Sequence, residues 1–224
     1  MAFDFHHDGF VWLRDALPAS LINAILQEIT CDDEVNSGSG VRNADRKYAT
    51  LKEWLAGGDL TRLACRYLEG APQQVRTILF NKSPRKNWLV TWHQDRTVCV
   101  KERFDAPDWG PWSEKDGVLH VQPPIETLER MLAFRIHLDP VDESNGCLKV
   151  IPGSHREGLL SHERIQQVAA SSKPLSCAAQ AGDILVMKPH LLHASSKGTT
   201  PNQRRILHVE FSDYPLPAGA QWAS

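Results

Sequence analysis

From residue 74 onward, large apolar residues occupy every second position in several short stretches of the sequence. This pattern limits the fold more than any other feature. The clearest stretch runs from Met131 to Leu138, where large apolar side chains alternate with Ala133, Arg135 and His137. Because the side chains of a strand point alternately to its two faces, a period of two predicts β-structure. Further strands are predicted at residues 74–81, around His93, and at 147–151, 184–188 and 204–211. Short strands joined by turns, after a helical start, are typical of a jelly roll.

The residues before this region have helical periodicity. Apolar residues recur at helical spacing and predict a first helix from about Pro18 to Ile29. A second helix is predicted from Leu60 to Leu68, with Asp59 capping its start and Gly70 ending it. These helices are expected to flank the N-terminal side of the jelly roll.

Three connections complete the predicted outline. Residues 32–48 are polar and contain glycine, which predicts a loop. Residues 101–124 predict a long ordered loop that covers the entrance of the site, because connections of this length are usually functional or disordered. The pair Asn145-Gly146 is a turn signal, so the strand after it is expected to be the hairpin partner of the strand that begins at Met131.

The length of 224 residues is enough for one mainly β domain and short for two. We therefore expect a single domain over residues 1–224. Within it, a mostly helical part at 1–73 precedes a jelly-roll core at 74–224.

Charge, hydropathy and cysteine spacing narrow the class of protein. A formal net charge of -2 gives no electrostatic footprint for nucleic acid or an anionic membrane. No apolar run reaches the ~18 residues that a membrane span needs, and the first residues lack the basic and apolar regions of a secretory signal. The five cysteines are widely spaced without a Cys-x-x-Cys pair, which is typical of a reducing compartment. We expect a cytoplasmic protein that acts on a small molecule, and its oligomeric state stays open.

A strand-like segment ends in the motif His93-x-Asp95. In an extended strand these two side chains project to the same side. An imidazole and a carboxylate presented together form two-thirds of a 2-His-1-carboxylate site, which suits non-haem Fe(II) because three coordination positions stay open. A third ligand must come from a later segment, where His190 and His193 are the candidates. Taken alone, the motif is a weak signal and favours a hydrogen-bonded pair at a strand end.

An arginine follows His193 by eleven residues, on the next predicted strand. A dicarboxylate cosubstrate needs such a residue, because its α-keto acid end chelates the metal while its far carboxylate needs a bidentate partner. Iron, chelate and arginine together indicate a 2-oxoglutarate-dependent oxygenase. Arg204 and Arg205 both remain candidates: Arg205 alternates with apolar residues, whereas Arg204 shares its face with His208 and Glu210.

Seven segments, in the same order, resemble the phytanoyl-CoA dioxygenase family and in particular its small bacterial members. They are Asp8–Val11, Trp92–Asp95, Glu143–Leu148, Ile151–Arg156, Gly182–Asp183, His193–Ser195 and Arg204. The resemblance implies a double-stranded β-helix that uses Fe(II), 2-oxoglutarate and O2. By the family pattern His93, Asp95 and His193 would bind iron, and Arg204 with Ser195 would hold the 2-oxoglutarate carboxylate.

Four further residues are candidates for contact with cosubstrate or substrate. Arg135 stands where relatives often carry a tryptophan beside the cosubstrate, so it is a candidate cofactor contact: it would touch a 2-oxoglutarate or substrate carboxylate, or face solvent. Asn81, on a strand shortly before the metal-binding segment, is a candidate cofactor contact. Arg42 and Trp88 are candidate substrate contacts.

The family mechanism implies hydroxylation of a small molecule, with release of succinate and CO2. Related halogenases replace the metal-binding carboxylate with a small residue, and the presence of Asp95 therefore favours hydroxylation. One alternative is a non-catalytic jelly-roll binding or sensor protein that retains the metal site. Another is a cupin-like enzyme that uses a different metal without 2-oxoglutarate.

Overall fold

The computed structural model describes residues 3–32, 40–200 and 202–224. Its strands are β1 (Phe10–Leu13), β2 (Gly40–Arg42), β3 (Gln73–Lys82), β4 (Val90–His93), β5 (Val98–Val100), β6 (Trp112–Lys115), β7 (Val118–Val121), β8 (Met131–His137), β9 (Leu148–Val150), β10 (Leu175–Cys177), β11 (Ile184–Met187), β12 (His193–Ser195) and β13 (Arg204–Ser212). Its α-helices are α1 (Phe5–Asp8), α2 (Ala19–Thr30), α3 (Ala44–Lys47), α4 (Ala49–Ala56), α5 (Asp59–Ala64), α6 (Ile125–Glu129) and α7 (His162–Ser171). Short 3-10 turns lie at Ser154–Glu157 and Pro217–Gly219.

Two antiparallel sheets form the jelly roll that the sequence predicts. The larger has six strands in the order β1-β11-β8-β13-β3-β2, and the smaller has four in the order β10-β9-β12-β4. A third sheet of three strands, β5-β7-β6, stands beside them. Apart from the pairs β2–β3 and β9–β10, neighbouring strands in both main sheets are not consecutive in the chain, which crosses repeatedly from one sheet to the other.

Both faces of the larger sheet are covered, which explains why every residue of β8 is buried. Leu132, Phe134 and Ile136 face the N-terminal helices, where they join a cluster with Ile25 and Ile29 of α2. The intervening side chains face the smaller sheet. Sequence alternation therefore predicted the two faces of this strand correctly. The less apolar face of β8 is also buried, because the smaller sheet covers it.

The connection after β8 differs from the predicted hairpin. β8 pairs with β11 and β13, whereas β9 pairs with β10 and β12 in the other sheet. Gly146 has a positive φ of 79°, and a Cβ on it would lie 2.5 Å from the Ser196 carbonyl oxygen. The turn signal was correct, but it marks a crossover between sheets rather than a return within one sheet.

The region from residue 101 to 124, predicted as a long ordered loop, contains regular secondary structure. It contains β6 and β7, which form a hairpin around Asp116-Gly117, and β7 also pairs with β5. Both turn residues have positive φ, at 52° and 72°. An Asp-Gly pair between strands is a strong hairpin signal, so this element could have been found from the sequence.

The N-terminal part also differs from the prediction. Gly58 precedes α5 in a left-handed conformation, so Asp59 is the first helical residue rather than its cap, and the helix ends at Ala64 before Gly70 is reached. α4 was not predicted. The loop predicted at 32–48 contains β2 and α3, and its residues 33–39 lie outside the described residues.

Strands from the N-terminal part complete the larger sheet. β1 pairs with β11, and β2 pairs with β3. The part before residue 74 is therefore continuous with the jelly roll. None of the helices in the described ranges is long and apolar enough to cross a membrane.

We predict that Phe134→Ala lowers the free energy of unfolding by about 3–5 kcal/mol, because the ring is fully buried and its loss leaves a cavity. The ring stacks edge-on to Phe211, with centroids 5.7 Å apart. Urea unfolding measures the change. As a control, Leu89→Ala removes a side chain that is 58% exposed and should change stability by less than about 0.5 kcal/mol. Similar losses in both variants would contradict the assigned core.

Candidate metal centre and inner cavity

Two histidines face each other on adjacent antiparallel strands. His93 at the end of β4 pairs in register with His193 at the start of β12, and their ring centroids are 4.1 Å apart. The Nδ1 atom of each ring lies 2.8 Å from a backbone carbonyl two residues earlier, that of Thr91 or of Leu191. Since a carbonyl can only accept, each Nδ1 carries the proton and each Nε2 presents a lone pair.

A carboxylate completes this group. Asp95 lies just beyond the end of β4, where its backbone N–H donates to the Pro189 carbonyl at 2.9 Å. One of its oxygens is 3.7 Å from Nε2 of His93, and the other is 3.5 Å from Nε2 of His193. The three candidate ligand atoms lie within 4.8 Å of one another. The structure thus brings together the three residues that the sequence singled out.

The middle residue of the motif points away from this group. Gln94 is buried, and its Nε2 donates to the carbonyls of Gly158 and His190 at 2.7 and 2.8 Å. Its Oε1 accepts from the backbone N–H of Leu160 at 2.9 Å. These bonds fix the backbone from which Asp95 projects. Sequence reasoning assigned Gln94 no role.

The protonation states suit a divalent metal. Burial lowers the pKa of His193 to about 4, so its ring is neutral near pH 7. Burial by itself would raise the pKa of Asp95, but the charges of His193, His208 and Arg76 outweigh it and hold that pKa well below its usual value. Two imidazoles and one ionised carboxylate form the donor set that a non-haem iron site requires.

The competing histidine lies elsewhere. His190 is buried, and its ring packs against His155 with centroids 5.8 Å apart. Its contribution near the metal centre is its backbone carbonyl, which accepts from Gln94. Of the two candidates, the geometry supports His193.

An inner cavity of about 280 Å³ opens between the two main sheets beside the three candidate ligands. A wider vestibule of about 500 Å³ adjoins it. The residues that line both are Arg42, Ile78, Phe80 and Trp88. Both predicted substrate contacts are among them, and Arg42 is paired with Asp116 at 2.5 Å. The predicted proximity of residues 101–124 also holds in part, since Lys115 and His120 line the inner cavity.

The end of the cavity formed by Arg204 and Ser195 carries buried positive charge. Arg204 is buried, its Nη1 donates to the Gly146 carbonyl, and its Nε has no hydrogen-bond partner within the described ranges. Ser195 donates to the same carbonyl at 2.9 Å and accepts from Lys82 Nζ, also at 2.9 Å. No described carboxylate pairs with Arg204 or Lys82. Burial, followed by the charges of Arg204 and Arg135, lowers the pKa of Lys82 to about 8.

Arg205 lies on the opposite face of β13. Its guanidinium forms a bidentate pair with Asp139, with distances of 2.8 and 2.7 Å from Nε and Nη2. That carboxylate already neutralises it. The choice of Arg204 over Arg205 is therefore the one that the geometry favours.

The predicted cofactor contact of Asn81 needs correction. Asn81 pairs in register with Arg205 rather than Arg204, so its side chain faces away from the inner cavity and accepts from Gln203. Lys82, one residue later, takes the position beside Ser195. A shift of one residue along a strand exchanges the faces, and no local sequence pattern determines the register of β3 against β13.

A second charged group behind the cavity was missed altogether. Glu210 is fully buried between Arg76 Nη2 at 2.6 Å and His208 Nε2 at 3.1 Å. Asp95, His208 and Glu210 also place ligand-type atoms within 4.8 Å of one another. Because His208 Nε2 must carry a proton to donate to Glu210, and Glu210 is neutralised by Arg76, this group suits a metal less well than the first. Arg76 pairs with Glu210 across strands 134 positions apart, which no local pattern reveals.

Comparisons with known sequences agree with these features. A family model described as Phytanoyl-CoA dioxygenase (PhyH) matches residues 5–206. A probable phytanoyl-CoA dioxygenase of Caenorhabditis elegans is 26% identical over 92 residues, which are 35% of this chain and 30% of that protein. The peroxisomal phytanoyl-CoA dioxygenase of Bos taurus is 25% identical over 89 residues, or 34% of this chain and 26% of that protein. The matched segments thus span less than a third of these relatives.

Solved structures show the same fold at low identity. AviO1 from Streptomyces viridochromogenes superposes with a TM-score of 0.71 and 22% identity, covering 96% of this chain and 92% of that one. HygX from Streptomyces hygroscopicus, solved with nickel and 2-oxoglutarate bound, superposes with a TM-score of 0.66 and 12% identity, covering 93% of this chain and 83% of that one. EctD from S. alaskensis superposes with a TM-score of 0.70 and 19% identity, covering 93% of this chain and 74% of that one. With the family model spanning nearly all of its jelly roll, the chain belongs to the phytanoyl-CoA dioxygenase (PhyH) family.

Proposed function

We propose that this protein is a non-haem Fe(II)- and 2-oxoglutarate-dependent dioxygenase that hydroxylates a small molecule and releases succinate and CO2. One observation carries the proposal: a two-histidine, one-carboxylate group and an arginine with an unpaired buried Nε line the same cavity. We further propose that residues 1–224 form one catalytic domain, since β1 and β2 complete the larger sheet. A cytoplasmic location and the absence of a nucleic-acid partner remain predictions from the sequence.

In this proposal His93, Asp95 and His193 hold the iron. The carbonyls of Thr91 and Leu191 keep both histidines in the tautomer that presents Nε2. All three side chains line the inner cavity, so an ion held by them would be accessible from the cavity to the cosubstrate and O2. The neutral ring of His193 and the ionised carboxylate of Asp95 need no proton removed before the ion binds.

Arg204 and Ser195 receive the far carboxylate of 2-oxoglutarate in this proposal. The guanidinium already stands without a counter-ion, so a carboxylate there relieves the cost of a buried charge. Lys82 donates to the Ser195 oxygen and holds it in place, so the serine O–H, directed at Gly146 in the free protein, turns to donate to the bound carboxylate. When bound, iron and 2-oxoglutarate supply the oxidising chemistry with O2. The protein orients them and excludes bulk water with Ile78 and Phe80.

Succinate formation tests the proposed activity. The purified protein, loaded with Fe(II) under anaerobic conditions and then exposed to O2, should convert 2-oxoglutarate to succinate, faster with a substrate from a panel than without one. Stoichiometric binding of iron and 2-oxoglutarate with no succinate formed would instead support a binding or sensor protein.

We predict that His93→Ala and His193→Ala each abolish stoichiometric Fe(II) binding, because each removes one of three ligands. Anaerobic metal titration measures it. His190→Ala is the matched control and should keep its iron, since its ring is outside the group. Iron retained by either of the first two variants would refute the assignment.

Gln94→Ala should weaken Fe(II) binding by about 10-fold or more, although Gln94 is no ligand, because residues that orient ligands commonly contribute 10–100-fold to affinity. Its three hydrogen bonds to Gly158, His190 and Leu160 fix the backbone before Asp95. Gln94→Glu keeps the acceptor for Leu160 but loses both donors. Unchanged affinity in both variants would show that Asp95 is positioned without them.

Arg204→Ala should weaken 2-oxoglutarate binding by about 2–5 kcal/mol, the usual cost of truncating one side of a buried charge pair. Arg204→Lys keeps the charge without the planar fork and should lose part of that affinity. The anaerobic metal-to-ligand charge-transfer band measures it, with Fe(II) binding unchanged. Arg205→Ala is the control, and a larger loss there than in Arg204→Ala would reverse the assignment.

A further inference from the structure

Arg135 is a second buried cation in the inner cavity. Its side chain lines the cavity, the residue is 8% exposed, and its Nε has no hydrogen-bond partner among the described residues. No carboxylate in the part of the chain that the structure describes forms an ion pair with it. Of the alternatives for Arg135, its burial excludes the one in which the side chain faces solvent. A guanidinium kept in a cavity without a counter-ion is costly unless an anion binds there.

A chain of hydrogen bonds holds this guanidinium in place. Arg76 pairs with Glu210, and Glu210 accepts from Nε2 of His208 at 3.1 Å. An arginine N–H can only donate, so Nδ1 of His208 is the acceptor in its contact with Arg135 Nη1 at 3.5 Å. This series of hydrogen bonds engages Nη1 of Arg135, and Nε has no hydrogen-bond partner among the described residues. A guanidinium fork fixed in this way suits a carboxylate.

Arg135 and Arg204 extend from well-separated positions on the wall of the cavity. Arg135 pairs in register with His208, which belongs to the group that includes Asp95. Arg204 is four positions earlier on β13, roughly 13 Å along the strand, where it bonds Gly146 beside Ser195. The charge of Arg135 contributes to lowering the pKa of Arg204 to about 10, after burial, so the two cations repel each other. Each needs its own anion.

The proposed cofactors leave Arg135 unbalanced. The charges of Fe(II), Asp95, 2-oxoglutarate and Arg204 cancel. Among the other cations that line the inner cavity, Arg76 is paired with Glu210 and Arg42 with Asp116, while Lys115 is exposed to solvent. Two buried cations then remain without an anion within the described ranges: Arg135, which lines the cavity, and Lys82, which donates to Ser195.

The neighbouring vestibule suits the remainder of such a ligand. Val41, Ile78, Phe80 and Trp88 give it an apolar surface, and Phe80 adjoins Arg135, whose guanidinium carbon lies 5.7 Å from the ring centre. We propose that Arg135 binds the carboxylate of the primary substrate, an acid whose apolar body lies in the vestibule. This inference rests on the proposed function, and it assigns Arg135 to the substrate rather than to 2-oxoglutarate.

Matched acids and amides test the proposal. Calorimetry on the anaerobic Fe(II) and 2-oxoglutarate complex would measure binding of butyrate, octanoate and 3-phenylpropionate, each beside its primary amide. We expect at least one acid to bind about 10-fold or more tightly than its amide. Arg135→Gln should remove that preference, a loss of about 30-fold or more being usual when one side of a buried charge pair is truncated. Arg135→Lys should restore part of it.

Cosubstrate binding separates the possible failures. The affinity for 2-oxoglutarate in Arg135→Gln should stay within about 3-fold of the parent, which also shows that the variant is folded, whereas Arg204→Gln loses it. Arg205→Gln, on the opposite face of the sheet, is the control and should keep both affinities. Equal binding of acids and amides, no binding of any acid, or loss of 2-oxoglutarate in Arg135→Gln would each overturn the proposal. Failure of the parent protein to bind iron and 2-oxoglutarate would instead refute the proposed function.

Discussion

The antiparallel pairing of β4 with β12 is the constraint on which the candidate site depends. It sets His93 opposite His193, so two ligands from segments a hundred residues apart meet without a loop having to bring them together. The chain leaves β4 immediately after His93, and two anchors then fix Asp95: its own N–H on Pro189 and the buried amide of Gln94. Ligands carried by strands and buried anchors are held more firmly than ligands on loops.

Alternation along strands predicted much of this arrangement. The clean period of two in β8 and β13 gave their faces, and the motif His93-x-Asp95 gave two of three candidate ligands. What alternation could not decide is which of two buried faces holds the cavity. In β13 one face meets the helices and the other meets the second sheet, so Arg204 and Arg205 look equally internal in sequence. Asp139, which pairs with Arg205, distinguishes them only once the fold is known.

The remaining errors have the same physical origin, since pairing between distant strands is a tertiary property. The turn at Gly146 is visible in the sequence, yet whether β9 returns to β8 or crosses to the other sheet depends on β12. The pair of Arg76 with Glu210 depends equally on the register of β3 against β13. The hairpin at Asp116-Gly117 is different, because its turn chemistry was local and readable.

Buried charge connects the fold to the function proposed for it. Glu210 pairs with Arg76 and with His208, and His208 in turn contacts Arg135 and helps to fix its position. Arg135 and Arg204 are not satisfied in this way by any described carboxylate, and each is held by a neutral acceptor instead. A well-packed apolar residue at either position would stabilise the jelly roll as well or better. Their retention between two sheets is best explained by anions that bind there, so the stability lost in the free protein is recovered on binding.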